Sequence, residues 1–140
     1  MAVFTKAFTL IELLVVVALI GILSAIGIVA FTGTSDSAAQ KAAENTLQSM
    51  ALAQLQYRSD NQIYYGVPGA SGSANDCNAN TTALINTNLF QDSQTSNLEK
   101  QKYFFCSFGS STIFINFAKH KEKTCTMSLN NKNELTPTNC

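Results

Sequence analysis

Between Lys6 and Asp36 the chain carries one charge, Glu12, and residues 13–31 contain nothing more polar than Ser24. At about 1.5 Å rise per residue such a run spans roughly 28 Å as a helix, close to the hydrocarbon thickness of a bilayer. It predicts a membrane-crossing helix. Lys6 and the initiator amine precede the run, which leaves the short N-terminus in the cytoplasm and sends the rest of the chain outward. A secretory signal would have a shorter apolar region and a small-residue cleavage site, whereas Thr32-Gly33-Thr34-Ser35-Asp36 follows here. A plain one-pass anchor accounts for the length but not for Glu12. A carboxylate at mid-bilayer costs about 2.5–3.5 kcal/mol on insertion scales and usually has a partner, for which an amine is the natural choice.

The residues around that acid, Lys6-Ala7-Phe8-Thr9-Leu10-Ile11-Glu12-Leu13, together with the apolar run, resemble the class III signal of type IV pilins and pseudopilins. The resemblance implies a leader, 1–7, cut on the cytoplasmic side between Ala7 and Phe8. It also implies methylation of the new amine of Phe8 and retention of 8–35 as a transmembrane and assembly helix. Glu12 then pairs in the filament with the Phe8 amine of a neighbouring subunit. Breaking such a buried pair by removing one partner costs about 3–5 kcal/mol. Ala7 stands where the family usually has Gly, and Val29 stands where many members have a proline, so a proline break in the helix does not carry over. The partners implied are a prepilin peptidase and methyltransferase, an assembly ATPase with its inner-membrane platform, and identical subunits in a helical filament. The implied location is a bacterial inner-membrane single-pass precursor, then an extracellular pilus serving adhesion, twitching motility or DNA uptake. A type II secretion pseudopilin and a membrane-anchored binding protein that never polymerises are the alternatives.

Beyond the anchor, Ala39, Ala43, Leu47, Met50, Ala51 and Leu55 recur at spacings of three and four, with Lys41, Glu44, Gln48 and Gln56 opposite. This predicts an amphipathic helix over 36–59, continuous with the anchor apart from a candidate bend at Gly33. Residues 8–59 then form a rod of roughly 78 Å. Residues 60–100 read as a loop region with a short helix over 81–90, and in pilins the corresponding segment forms much of the exposed filament surface. Asn80-Thr81-Thr82 matches a glycosylation sequon, which more commonly marks only a solvated loop.

The last third, 101–140, alternates as strands do: Phe104, Cys106 and Phe108, then Ile113, Ile115 and Phe117, then Cys125, Met127 and Leu129. A two-residue turn at Gly109-Ser110 sets Cys106 opposite Ile113, and a loop over 119–123 sets Phe117 opposite Cys125. With that register all nine residues face one way, giving a three-stranded antiparallel meander on the amphipathic helix. The fold class is therefore α+β: a long N-terminal helical spine, its first half transmembrane, with a small antiparallel sheet packed on its second half. Residues 36–140 make the periplasmic or extracellular head.

Cys77, Cys106, Cys125 and Cys140 are even in number and contain no CxxC pair, as expected of two disulfides outside the membrane. Three connectivities are open. An intervening strand puts Cys106 and Cys125 about two strand spacings apart, beyond disulfide reach, and of the two connectivities left the favoured one is Cys125–Cys140, closing a short loop that ties the tail to the last strand, with Cys77–Cys106 pinning the long loop to the sheet. The charge balance, nine Lys plus Arg against nine Asp plus Glu, excludes a global field that would draw in nucleic acid. Lys119, Lys121 and Lys123 form a local basic knob that is a candidate DNA or anion contact, although such a run more often is a solvated hairpin loop. His120 lies between them, no nucleophile has a recognisable base, and no phosphate loop or metal-binding pattern occurs. No catalytic residue, cofactor or metal is expected.

Overall fold

The computed structural model of the chain describes residues 8–92 and 98–140, the side chains of 26–33 excepted. The leader 1–7, with Lys6 and Ala7, lies outside the described residues. The elements in order are α1 (Leu10–Asn61), a 3-10 turn (Ala74–Asp76), α2 (Ala79–Asn88), a second 3-10 turn (Leu98–Lys100), and strands β1 (Tyr103–Gly109), β2 (Phe114–His120), β3 (Thr126–Asn130) and β4 (Leu135–Thr138). Contacts divide the chain into a unit ending at Ala38 and a head, Ala39–Cys140. The architecture is α+β, a long helix followed by a small antiparallel sheet, consistent with a pilin-like fold.

No proline interrupts α1, and its helical assignment is continuous through Gly33. It ends where Gln62 takes a left-handed φ of 63° and donates its N–H to the Arg58 carbonyl at 2.8 Å, satisfying one of the last orphan acceptors. Within the head, Ala43, Leu47 and Met50 are fully buried along one stripe of α1, as their spacing predicts. Leu55 does not continue that stripe. It is 55% exposed, and Gln54 occupies the buried position instead.

Gln54 is buried because its amide matches a peptide group. Its Oε1 accepts the Tyr65 N–H at 2.8 Å, and its Nε2 donates to the Tyr65 carbonyl at 2.8 Å and to Ser107 Oγ at 2.7 Å. Ser107 Oγ in turn donates to Asn116 Oδ1 at 2.8 Å, so helix, loop and sheet share one polar knot inside an apolar core. Buried polar groups are normally paired, and this set is paired across three elements except at Asn116 Nδ2, which is buried and has no hydrogen-bond partner among the described residues.

The sheet has four strands in sequence order, each antiparallel to the next. Two registers differ from the sequence reading. Gly109 pairs with Phe114, so the first turn spans 110–113 and Cys106 lies opposite Phe117 rather than Ile113. Ser110 closes that turn through its N–H to the Ile113 carbonyl, and its Oγ accepts the Ile113 N–H. Gly109 serves close approach rather than turning: a side chain there would run into the Tyr64 and Tyr65 carbonyls, and one at Gly66 would run into Gly109. At the second connection Phe117 lies opposite Ser128, not Cys125, because His120 remains in β2. This slip of three is odd-numbered, so it changes which face β3 presents relative to β2, whereas the first register differs by four and leaves Cys106 and Phe117 on one face.

Phe105, Ser107, Asn116, Ala118, Met127 and Leu129 are fully buried on one face of the sheet, where Gln54 reaches Ser107 and Asn116, and Cys106 is equally buried on the other face. Phe104, Phe108 and Ile115, expected to face α1, lie on the opposite face and are half-buried. That face is covered over Cys106 and Phe117 by the segment carrying Cys77. Both faces of β1 and β2 are thus apolar, which is why alternation alone did not distinguish them.

The described part of 60–100 is also more built into the core than a loop reading implies, since Tyr64, Tyr65, Val67, Cys77, Ile85, Leu89 and Leu98 are all buried. The short helix begins two residues earlier than expected, at Ala79. Asn78 caps it by accepting the Thr81 N–H while Thr81 Oγ1 accepts the Asn78 N–H. The sequon therefore lies in the first turn of α2, with Thr82 buried. Thr82 Oγ1 accepts the Phe105 N–H at 2.9 Å and Thr81 Oγ1 donates to the Phe105 carbonyl at 2.9 Å. With Val67 N–H on the Ser107 carbonyl, these contacts close the β1 edge to further strand pairing.

Candidate functional site

At the start of α1, Thr9 is the N-cap and Glu12 the third helical residue. Glu12 Oε2 accepts the Thr9 N–H at 3.0 Å and the Thr9 hydroxyl at 2.8 Å, while the Glu12 N–H lies 3.4 Å from Thr9 Oγ1. This is a capping box, and the Thr-x-x-Glu spacing that makes it is legible in the sequence although the sequence reading above did not use it. It gives Glu12 a local role besides any intermolecular one. A carboxylate at a helix N-terminus also meets the positive end of the helix dipole.

Around this acid the helix is apolar on every side. Phe8, Leu10, Ile11 and Leu13 are 62–81% exposed, and Val15 to Leu23 include no large side chain that another element covers. Ser24 hides its hydroxyl by donating to the Ile20 carbonyl at 2.7 Å, so it adds little polarity to that surface. Among the described residues no helix is long and apolar enough to cross a membrane. The apolar run 13–31 read from the sequence falls partly outside the described side chains.

The head is cross-linked twice. Cys77 bonds to Cys106 with Cα atoms 4.9 Å apart, and Cys125 bonds to Cys140 with Cα atoms 4.6 Å apart. The first joins the 60–100 region to β1, and the second ties the chain end to the start of β3. Just before Cys77, the Asp76 carboxylate accepts the Ser71 N–H at 2.7 Å, the Ser71 hydroxyl at 3.0 Å and the Ser73 N–H at 3.3 Å. These bonds, led by the Ser71 backbone N–H, hold its carboxyl below the usual aspartate range.

The basic run is only in part the solvated turn expected: 121–124 are exposed in the connection, but Lys119 and His120 belong to β2. His120 is the last residue of β2, only 5% exposed, with its ring edge-on to Tyr103 at 4.9 Å. Its Nδ1 accepts the N–H groups of Glu122 and Lys123 at 3.1 and 3.0 Å, shaping the connection to β3. Lys119 is half-buried within β2, whereas Lys121 and Lys123 are exposed. Among the described residues no group of three His, Cys, Asp or Glu side chains could hold a metal ion.

Residues 5–28 match the prokaryotic N-terminal methylation motif, the class III signal peptide of type IV pilins. No curated protein matches the chain significantly. The matched segment is of the kind carried by prepilins of the type IV pilin-like or pseudopilin type, and such a signal suggests a membrane-anchored precursor. Proteins of that type are structural and usually not enzymes. The same motif implies processing by a prepilin peptidase and pilin assembly.

Proposed function

We propose that the chain is a structural subunit, major or minor, of a bacterial type IV pilus. In this reading the leader 1–7 is removed between Ala7 and Phe8, Phe8 is N-methylated, and 8–35 holds the subunit in the inner membrane. The subunit then enters an extracellular filament through that helix, driven by an assembly ATPase and platform protein. Residues 36–140 form its outer head. The observation that carries the reading is a helix apolar on all sides and headed by one acid. Burial of its exposed leucines, isoleucines and valines against like helices would gain roughly 1.5–3 kcal/mol per side chain relative to water.

The capping box refines the part Glu12 plays. In a lone subunit its carboxylate is already satisfied by Thr9, which lowers the cost of holding it at the membrane edge. The Phe8 amine of a neighbour then adds the opposite charge that the cap lacks. Glutamine also serves at this position of a capping box, so Glu12→Gln keeps the cap and removes only the charge. Cells expressing Glu12→Gln are expected to hold normal amounts of processed subunit in the membrane and to yield at least tenfold less in sheared fibres. Wild-type fibre yield from that variant would reduce Glu12 to a helix cap. Intact mass of wild-type sheared material should show loss of 1–7 and one added methyl. Full-length, unassembled protein would instead point to a non-polymerising anchor, and a processed form never abundant in fibres to a pseudopilin.

A further inference from the structure

Within the head, α1 and the β3–β4 turn bound a groove of about 440 Å³, inside the roughly 300–1,000 Å³ usual for ligand sites. Leu52, Leu55 and Phe114 give it an apolar lining, and Gln48, Asn131 and Asn133 add side-chain amides. Among the described residues no charged side chain lines it. Leu52 and Leu55 are 71% and 55% exposed, so the head leaves both leucines uncovered there.

The amides around the groove differ in how far they are committed. Asn130 Oδ1 accepts the Lys132 and Glu134 N–H groups at 3.0 Å each, and its Nδ2 donates to Glu134 Oε2 at 2.7 Å. With the Asn133 N–H on the Asn130 carbonyl at 3.0 Å, these bonds fix the turn. Asn133 takes a left-handed φ of 62°, a conformation in which asparagine is enriched. The side chains of Gln48, Asn131 and Asn133, in contrast, are exposed and make no hydrogen bond among the described residues. Each keeps two N–H donors and a carbonyl acceptor for a guest. A turn already fixed by its own bonds lowers the ordering cost of presenting them.

We propose that this groove binds an extended, uncharged peptide segment of another protein. A side-chain amide matches a peptide group, as Gln54 shows by taking both the N–H and the carbonyl of Tyr65 at 2.8 Å. Gln48, Leu52 and Leu55 follow one another at spacings of four and three on α1, a strip about 10.5 Å long that equals about three residues of extended chain. The leucines then take an apolar side chain while the amides take the backbone. A saccharide fits less well, because Phe114 is only 3% exposed and offers no open ring face for a sugar to stack on. A second copy also fits less well. Its uncharged turn 110–113, next to Phe114, has spent its backbone groups: the Ser110 N–H donates to the Ile113 carbonyl, the Ser110 carbonyl accepts the Tyr64 N–H, and the Ile113 N–H donates to Ser110 Oγ. The inference is independent of whether the subunit polymerises.

The test is proton–nitrogen correlation NMR of the full chain in neutral detergent micelles, following the side-chain amide signals of Gln48, Asn131 and Asn133 as N-acetyl-Ala-Leu-Ala-amide is added. The three should shift together and saturate. Unblocked Ala-Leu-Ala, whose two termini are charged, should bind at least about fivefold more weakly, since the groove has no charge to pair with them. The triple variant Gln48→Ala, Asn131→Ala, Asn133→Gly, in which glycine keeps the left-handed turn, should weaken binding of the blocked peptide at least about tenfold. Its core backbone signals should stay in place, which separates lost binding from lost fold, and Gln56→Ala, outside the groove, should bind as wild type does. Shifts that never saturate, an unchanged triple variant, an equal response to maltose, or concentration-dependent shifts of the same amides without peptide, the mark of self-association, would each overturn the proposal.

Discussion

The two halves of α1 share a backbone and differ in what surrounds it. From Leu10 to Leu23 the large apolar side chains are 47–81% exposed among the described residues. From Ala43 to Gln54 the buried positions recur along one stripe, and at its flank an exposed Lys41 pairs at 2.7 Å with Glu44, which is half-buried rather than on the open face its spacing suggested. The first surface cannot persist in water and must be met by lipid or by other helices. The second is completed by the chain's own sheet. A single helix thus joins a segment whose stability is collective to one whose stability is internal, and substitutions should separate the two.

The largest effect is expected from the internal half. Leu47→Ala should cost the head about 2–5 kcal/mol in denaturant unfolding of the full chain in detergent, since it empties a fully buried site. Leu52→Ala, at a position 71% exposed on the same half, should stay within about 0.5 kcal/mol, and Val16→Ala should leave head unfolding unchanged. A Val16→Ala effect as large as that of Leu47→Ala would break the division.

Removing the Cys77–Cys106 bond by a double serine variant should cost the head about 3.5 kcal/mol in the chain-entropy model. The Cys125–Cys140 bond should cost about 3, because it closes 15 rather than 29 residues. Neither change should alter how much protein reaches the membrane. Membrane fractionation of both variants checks this.

The smallest effect is a pH dependence. Asp76 titrates below the usual aspartate range when folded, so it binds protons less readily in the native head than in the unfolded chain. Its contribution is present above the ordinary carboxylate range and is lost as pH falls through the lower, folded value. Thermal unfolding of the full chain in detergent should therefore show the difference between wild type and Asp76→Asn shrinking on acidification below that range. A difference that grows on acidification would contradict the sign.

How much was legible varies by element. The buried stripe on α1, the antiparallel sheet and the fold class follow from periodicities of about 3.6 and 2, which report which residues need cover. Leu55 failed that rule because Gln54 found a peptide group to pair with, a long-range partner invisible to local spacing. The inward faces of β1 and β2 failed because the Cys77 segment makes both faces apolar. Strand β4 was missed because Thr136, Pro137 and Thr138 are polar or non-donating and exposed, as suits an edge. His120 was read as a turn residue because its neighbours are lysines. Its burial against Tyr103 depends on a strand 17 residues earlier. The Thr9–Glu12 cap, in contrast, was available from spacing alone.

The apolar run, its single acid and the motif around them are local properties, and the sequence determined them without help from the fold. Length and hydropathy act on each residue in turn, so a linear reading captures them. Tertiary structure alone decided which face of each strand meets α1 and where Gln54 and His120 find their partners. Those outcomes depend on register and on hydrogen-bond partners far away in the chain, and a shift of one residue along a strand exchanges every one of them.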